Sequence, residues 1–244
     1  MDGSKVCFIP ARSGSKRLKN KNQEKVSGLT LIGWAMLAAK LTDVFDEIVL
    51  SSDSEKYFTD ALIEIEELGM STDDIKLDKR DRADAGSKIK IFDYIKSGFR
   101  HPVMSEPNGM LVQMLPTSPF RQVSLIRESI IQFAKTKKSS FAAAPYDFHV
   151  SFAFETLNGS WSPLLGHESP MVSGQTQSQD QKKYLHPCGS FYIINTGCIQ
   201  NMQTIYHQSE PIEVDRLSAL DVDTAEDLDY LRLLAADPRT ILNR

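Results

Sequence analysis

The chain has 244 residues, of which 41% are hydrophobic and 25% are charged, and its formal net charge at pH 7 is −4. This is the composition of a soluble globular chain, and its acidic balance argues against a general nucleic-acid-binding protein, which is usually basic. The three cysteines, Cys7, Cys188 and Cys198, form no CxxC pair, which argues against a zinc cluster or a disulfide framework and predicts reduced, buried thiols. No signal peptide and no apolar run of about 18 residues is present, so we expect a cytoplasmic protein without a membrane or nucleic-acid partner.

Short apolar runs alternate with segments of helical periodicity from the N-terminus to residue 145. Buried strands are predicted at 6–9, 48–51, 75–77, 110–115 and 141–144, and helices at 31–38, 54–68, 87–98 and 126–134. This alternation predicts an α/β fold with a mostly parallel, doubly wound sheet that carries helices on both faces. Because ligands of such sheets bind beyond the carboxyl ends of the strands, we expect the site in the loops 10–24, 51–53 and 116–119.

The alternation stops at about 146–188. A strand is predicted at 149–154, followed by a polar stretch rich in Gln, Ser and Gly, and we interpret this region as a flap or dimerisation arm inserted into a single domain of residues 1–244. Regular structure resumes with a predicted strand at 190–194. The sequence Thr-Ala-Glu-Asp at 224–227 is a capping-box pattern that opens a last helix.

A basic loop follows the first predicted strand. Residues 9–22 read Ile-Pro-Ala-Arg-Ser-Gly-Ser-Lys-Arg-Leu-Lys-Asn-Lys-Asn. The glycine between two serines at 13–15 lets backbone N–H groups approach a phosphate, and Arg12, Lys16 and Lys21 carry the charge to neutralise a triphosphate. The loop is neither a Walker A motif nor GxGxxG. From composition alone, a solvated basic loop or a nucleic-acid patch is an equal alternative, but the position after the first strand favours phosphate binding.

This segment resembles the signature of the acylneuraminate (CMP-sialic acid) cytidylyltransferases, which reads roughly I-P-A-R-x-G-S-K-x-L-x-x-K-N. Further segments are similar to motifs of the same family and span almost the whole chain: 45–53, 115–121, 189–193 and 221–227. The Ser-Gln-Asp at 178–180, with Tyr184 and His186 after it, is similar in part to the pseudaminic acid branch.

The resemblance implies a Rossmann-like nucleotidyltransferase sheet and an inline transfer of CMP from CTP to the anomeric hydroxyl of an acidic, nonulosonic-type sugar, with release of pyrophosphate. It also implies Mg²⁺ as cofactor, CTP and an acidic sugar as the bound partners, and a homodimer in which each arm reaches toward the partner's site.

The same resemblance implies roles for individual residues. The catalytic residues are Arg12, Lys21 and Asp221. The nucleotide-binding residues are Ala11, Arg12, Ser13, Gly14, Ser15, Lys16, Lys21, Asn22, Arg80 and Ser87. The sugar-binding residues are Leu115, Thr117, Ser118, Gln179, Asp180 and His186.

Asp221 and Asp223 are the implied metal ligands. Their i, i+2 spacing on an extended segment places both carboxylates on one side, which suits a hard cation that keeps some of its waters. The alternative from the residues alone is an acidic turn that satisfies the N-terminus of the last helix, although this fits Glu226 and Asp227 better.

The sequence departs from the family pattern mainly where the sugar is held. Leu115 stands in place of a glutamine, and residues 177–189 lack the arginines that hold a sugar carboxylate bidentately. Either Arg80 or Arg82 fits the nucleotide-contacting arginine. One interpretation is an enzyme for a different acidic sugar, in which other side chains replace the missing cations; the candidates are Lys182, Lys183, His186 and Lys88.

The alternatives are a nucleotidyltransferase for another sugar acid or a sugar phosphate, and a nucleotide-binding homologue that has lost catalysis. A protein that contacts RNA through the basic loop is a further hypothesis, which the acidic composition disfavours.

Overall fold

A computed structural model of the chain describes residues 3–15, 17–81, 84, 86, 89–235 and 238–243. The strands are β1 (Lys5–Pro10), β2 (Lys25–Val26), β3 (Leu29–Thr30), β4 (Glu47–Ser52), β5 (Ile75–Lys79), β6 (Met110–Gln113), β7 (Ser140–Pro145), β8 (Phe154–Leu157), β9 (Ser160–Pro163), β10 (Leu185–Asn195) and β11 (Glu210–Glu213). The α-helices are α1 (Leu31–Thr42), α2 (Glu55–Glu67), α3 (Ile91–Ser97), α4 (Val123–Thr136), α5 (Pro170–Ser173), α6 (Ala225–Leu234) and α7 (Pro238–Leu242).

Seven strands form the central sheet in the order β11-β7-β10-β6-β1-β4-β5. Strand β10 runs antiparallel to both β6 and β7, and the other described pairs of this sheet are parallel. The predicted α/β fold with a mostly parallel sheet is therefore confirmed. In the register of β1 and β4, Pro10 lies opposite Ser51, so the loops that follow these strands leave the sheet side by side at their carboxyl ends.

The strand β1 shows why the sheet is covered on both faces. Its apolar side chains alternate between two hydrophobic clusters, with Cys7 and Ile9 on one side and Val6 and Phe8 on the other. The first cluster packs under α1, α2 and α4, and the second under α3. Each fully buried side chain of this size contributes about 1.5–3 kcal/mol of transfer free energy, so the two clusters hold the strand ends in place for the loops.

The helix α1 is buried almost along its whole length. Trp34 is fully buried, packs edge-on against Phe120 with ring centroids 5.1 Å apart, and donates from its indole nitrogen to the Val26 carbonyl at 2.8 Å. The Thr30 side chain accepts from Gly33 N and caps the helix. This packing ties the end of the basic loop to the core.

The prediction of a strand at 149–154 is wrong. Residues Val150–Phe152 form a 3₁₀ turn, and the strand starts only at Phe154. The reason is the hairpin of β8 and β9, which turns at Asn158 and Gly159, both with positive φ, so the pairing register is set downstream of the expected strand.

Other boundaries also shift. The helix predicted at 87–98 is observed as α3, and residues 87–88 lie outside the described part of the chain. The capping box of α6 is confirmed, because the Thr224 side chain accepts from Asp227 N while the Asp227 carboxylate accepts from Thr224 N at 2.8 Å. All three cysteines are free, but Cys198 is exposed, against the prediction of buried thiols. Among the residues described, the structure has no helix with both the length and the apolar character to span a bilayer.

Candidate active site

Two clefts open near the carboxyl ends of the parallel strands. The first, which we call the loop cleft, has a volume of about 290 Å³. It is lined by Pro10, Arg12, Ser15, Lys21, Asn22, Arg80, Asp84, Gly86, Ile89, Ile91, Leu115, Pro116 and Thr117. Five predicted nucleotide-binding residues thus come together with two predicted sugar-binding residues. Lys16 and Ser87 lie outside the described residues.

The basic loop is held against the loop that follows β4. Ser13 donates its backbone N–H and its hydroxyl to the two carboxylate oxygens of Asp53, at 2.8 and 2.7 Å. Ser52 donates to the Ala11 carbonyl at 2.6 Å, and Ala11 N donates to the Ser51 carbonyl. Partial burial acts to raise the pKa of Asp53, but the Ser13 bonds, with the Arg80 charge nearby, outweigh it and lower the pKa. Contacts within the chain therefore preorganise the loop.

Asp53 was not named as a site residue, although the loop 51–53 that contains it was expected at the site. The signal for it was the Ser-Ser-Asp sequence after the second strand. Gly14, which follows the anchored Ser13, is exposed, and a Cβ placed there would meet no atom within 4 Å, so this part of the loop is open to an approaching ligand.

Arg80 lies at the end of β5 with its guanidinium facing the loop cleft. The side chain is 7% exposed, donates to the Ser51 carbonyl at 2.9 Å and stacks over the Tyr94 ring at 5.5 Å. Burial lowers its pKa, although the nearby Tyr94, Asp53 and Asp78 act in the opposite direction. Among the residues that the structure describes, its Nε has no hydrogen-bond partner. A buried N–H without a partner costs free energy, so a ligand acceptor at this point would be stabilised.

The carboxylate of Asp78 connects the residues that surround Arg80. Asp78 accepts from the Ser51 hydroxyl at 2.5 Å and from the Tyr94 hydroxyl at 2.9 Å. The sequence left Arg80 and Arg82 as candidates for the arginine that contacts the nucleotide. Arg80 lies in the loop cleft, where this hydrogen-bond network supports it. Arg82 is outside the described residues.

Lys21 connects the loop cleft to the segment before α6. Its ammonium group donates to the Val222 carbonyl at 2.6 Å and forms an ion pair with Asp223 at 2.9 Å. Arg17 forms a second ion pair with the other oxygen of Asp223, at 2.8 Å. These two contacts use two of the three N–H donors of Lys21 and leave one for a ligand. Asn22, predicted to bind the nucleotide, is buried and donates from its side-chain amide to the Arg12 carbonyl at 3.0 Å.

Asp221 lies at the junction of the two clefts. Its carboxylate accepts from the Ser118 hydroxyl at 3.3 Å, and the neighbouring Val222 N donates to the Thr117 carbonyl at 2.8 Å. Desolvation by the surrounding walls raises the pKa of Asp221, and the negative charge of Asp223 adds to this, whereas Thr117 and Lys21 act against it.

The donor set at this junction fits Mg²⁺. That ion takes one or two carboxylates and completes its octahedron with waters and phosphate oxygens. Asp221 and Asp223 are two such carboxylates beside the loop cleft. No cluster of three or more metal-binding side chains is found among the described residues, so a closed, all-protein site is not formed by them.

Two residues outside the predictions position the 115–119 loop. Arg121 is fully buried and donates to the carbonyls of Leu115 and Ser190, at 2.6 and 2.9 Å, and burial lowers its pKa to about 10. Gly189 approaches so closely that a Cβ there would lie 2.6 Å from the Ser118 oxygen. Together they hold Ser118, which is fully buried, against Asp221.

The second cleft, the Asp221 cleft, has a volume of about 720 Å³. It is lined by Pro145, Tyr146, Asp147, Phe148, His186, Arg216, Leu217, Ala219, Leu220, Asp221, Tyr230 and Leu234. Of the predicted sugar-binding residues, His186 lies here, with its ring 4.8 Å from that of Tyr146. Gln179 and Asp180 are exposed on the arm and line neither cleft.

Comparison with known proteins supports the sequence resemblance. A family model described as cytidylyltransferase matches residues 6–79, which include the basic loop, β4 and β5. A pseudaminic acid cytidylyltransferase of Campylobacter jejuni is 26% identical over 234 residues, an alignment that covers 94% of this chain and 95% of the relative. This chain is thus similar to cytidylyltransferases over almost its whole length.

A further relative and a solved structure are also similar to this chain. The CMP-N,N'-diacetyllegionaminic acid synthase of Legionella pneumophila is 28% identical over 230 residues, covering 91% of this chain and 92% of the relative. A crystal structure of 4-diphosphocytidyl-2C-methyl-D-erythritol synthase superposes with a TM-score of 0.64 at 10% identity, covering 96% and 99% of the two chains, and shows that the fold is shared. The predicted family resemblance is confirmed.

Proposed function

We propose that this protein transfers CMP from CTP to the anomeric hydroxyl of an acidic, nonulosonic-type sugar and releases pyrophosphate. The observation that carries the proposal is the contact between Lys21 of the basic loop and the Asp221–Asp223 segment. This contact joins a cationic cleft suited to a triphosphate with carboxylates suited to a divalent ion. The named relatives act on pseudaminic and diacetyllegionaminic acids, which agrees with this substrate class.

The loop cleft is the proposed CTP site. Arg12 and the remaining N–H donor of Lys21 face the triphosphate, and the exposed backbone at 13–15 supplies further donors. The unpartnered Nε of Arg80 supplies a donor to the nucleoside. Because Arg80 and the loop are already anchored through Ser51 and Asp53, little ordering is needed on binding, which favours affinity.

The reaction is a displacement at the α-phosphorus. A bond forms from the anomeric oxygen to this phosphorus, the α–β phosphoanhydride bond breaks, and pyrophosphate leaves with the electron pair. The proton of the hydroxyl is released to solvent. Arg12 and Lys21 stabilise the charge that builds up on the phosphate oxygens. Asp221, with Asp223 beside it, would hold Mg²⁺, which supplies charge neutralisation and alignment of the phosphate with the sugar oxygen.

A homodimer formed through the arm is part of the proposal. The β8–β9 hairpin and its flanks expose several large apolar side chains, which is unusual for a free surface: Phe154, Leu157, Trp161, Leu164 and Val172. The three free cysteines agree with a reducing, cytoplasmic setting. Light scattering of the purified protein tests the dimer, and a monomer at micromolar concentration would contradict it.

The decisive experiment is pyrophosphate release from CTP and Mg²⁺ across a panel of acidic sugars. The panel comprises N-acetylneuraminate, legionaminate, pseudaminate, deaminoneuraminate and the eight-carbon keto-deoxy acid. We expect release with an acidic sugar and with CTP in preference to ATP, GTP and UTP. Turnover only with a sugar phosphate would support the alternative nucleotidyltransferase. CTP binding without turnover on any acceptor would indicate a homologue that has lost catalysis.

A further inference from the structure

The residues 177–189 do not bring a cation to the Asp221 cleft except through His186. Lys182 forms an ion pair with Glu168 at 2.9 Å, and Lys183 forms one with Glu213 at 2.5 Å. Both lysines are exposed and neither lines the cleft. If the cleft accepts an acid, its charge must be neutralised by another side chain.

Arg216 is that side chain. It comes five residues before Asp221 and lines the same cleft, and it is the one arginine or lysine among the described residues that does so. The turn that carries it is closed by hydrogen bonds to Asp215, from Ser218 N at 2.7 Å and from Ala219 N at 3.2 Å. Arg216 and Asp221 are therefore set in one short, hydrogen-bonded segment.

The guanidinium of Arg216 already binds a carboxylate. It forms an ion pair with Asp147 at 2.6 Å, and the side chains of both residues are more than 60% exposed. An exposed ion pair of this kind is weakly held, so a substrate carboxylate can replace Asp147. The planar fork of arginine binds carboxylates bidentately, which lysine does not.

The remaining walls of the cleft are mostly apolar: Tyr146, Phe148, Leu217, Leu220, Tyr230 and Leu234. Such walls suit a sugar acid that carries acyl or deoxy groups rather than one that carries hydroxyls throughout. In a 2-keto sugar acid the carboxylate is attached to the anomeric carbon. A cation that holds it must therefore lie close to the residues at the reacting hydroxyl.

We propose that the Asp221 cleft is the subsite for the sugar acid and that Arg216 binds the sugar carboxylate, displacing Asp147. This inference rests on the proposed cytidylyl transfer and names the residue that gives that site its preference for acids. His186 and Tyr146 form the neighbouring wall. Arg216 replaces the arginines that are absent from residues 177–189.

The test compares steady-state constants for the sugar and for CTP in three variants and the unchanged protein. Arg216→Gln should raise the KM for the sugar acid about tenfold to a hundredfold, the effect of losing a charge-assisted contact, and leave the KM for CTP unchanged. Arg216→Lys should restore part of the loss. Asp147→Asn should lower the KM for the sugar, because it removes the competing carboxylate.

A matched control is Lys138→Gln, which also removes an exposed cation from an ion pair, here with Glu210, remote from both clefts. It should change neither KM. A second readout is turnover of the sugar acid's amide. The unchanged protein should turn over this amide poorly, whereas Arg216→Gln should turn over the amide at least as well as the acid.

The outcomes separate the two proposals. If the unchanged protein releases pyrophosphate with a sugar acid but Arg216→Gln keeps its KM for that sugar, the role of Arg216 is overturned and the cytidylyl transfer stands. An equal rise in the KM for CTP would likewise place Arg216 outside the sugar subsite. If the unchanged protein is inactive with every acid, the proposed function fails, and the present inference fails with it.

Discussion

The ammonium group of Lys21 forms an ion pair with Asp223, a residue 202 positions further along the chain, at 2.9 Å. The same group donates to the Val222 carbonyl. One side chain thus fixes the distance between the proposed triphosphate site and the proposed metal ligands. The side chain of Lys21 is largely buried, so this contact is screened less by solvent than the ion pair of the exposed Arg17 with the same carboxylate.

Lys21→Ala should reduce turnover by about 10²–10³-fold, the range for loss of one preorganised electrostatic contact in an active site. It should leave the fold intact, because Lys21 belongs to neither hydrophobic cluster. Pyrophosphate release measures the first effect and the thermal unfolding midpoint the second. Lys56→Ala, which removes an exposed lysine from an ion pair with Asp60, is the control. Undiminished turnover in Lys21→Ala would remove this residue from the triphosphate site.

The double variant Asp221→Asn, Asp223→Asn should lose activity together with its response to Mg²⁺. Both changes replace a carboxylate with an amide of similar size, so the packing around Ser118 is kept. Calorimetric titration of Mg²⁺ into the CTP complex measures Mg²⁺ binding directly. A double variant that is active and still saturates with Mg²⁺ would show that the ion is held elsewhere.

Tyr94→Phe should weaken CTP binding by about 1 kcal/mol, roughly fivefold in Kd, the net worth of a hydrogen bond. The change removes the hydroxyl that donates to Asp78 and keeps the ring on which Arg80 is stacked. The Kd for CTP from calorimetry checks the effect, and kcat at saturating CTP should change little. A drop in kcat with an unchanged Kd would mean that the network acts on the chemical step instead.

Asp53→Asn should destabilise the protein by about 1 kcal/mol at neutral pH, since it weakens two hydrogen bonds from Ser13 to a charged acceptor. Because the folded-state pKa of Asp53 is lowered, its contribution is fully present above the unfolded pKa of about 3.9 and is lost as the pH falls through the folded pKa. Urea unfolding at pH 7 and at pH 3 measures this. A difference between the two proteins that grows toward acid pH would contradict the assignment.

Much of the fold and part of the site followed from local sequence. The strands of the central sheet and the helices before residue 145 were predicted with modest boundary errors, because each places apolar residues at the period of its own geometry, whereas the short β2–β3 hairpin was missed. Arg12, Lys21 and Asn22 could be predicted together since they belong to one continuous motif. The capping box at Thr224 also depends only on residues within one helical turn. Strand β11 was missed because it is a short, mostly exposed edge strand that contains a proline.

The pairing of distant segments was decided by the tertiary structure alone. The insertion of β10, antiparallel, between β6 and β7 brings His186 beside Tyr146 and places Gly189 against Ser118. The support of Arg80 by Asp78 and Tyr94, and the presence of Arg216 in the Asp221 cleft, likewise join residues that no local pattern connects. Periodicity reports which face of an element is buried, but not which element covers it. That choice depends on the packing of the whole chain, because each long-range contact must offset the entropy of closing the loop between its partners.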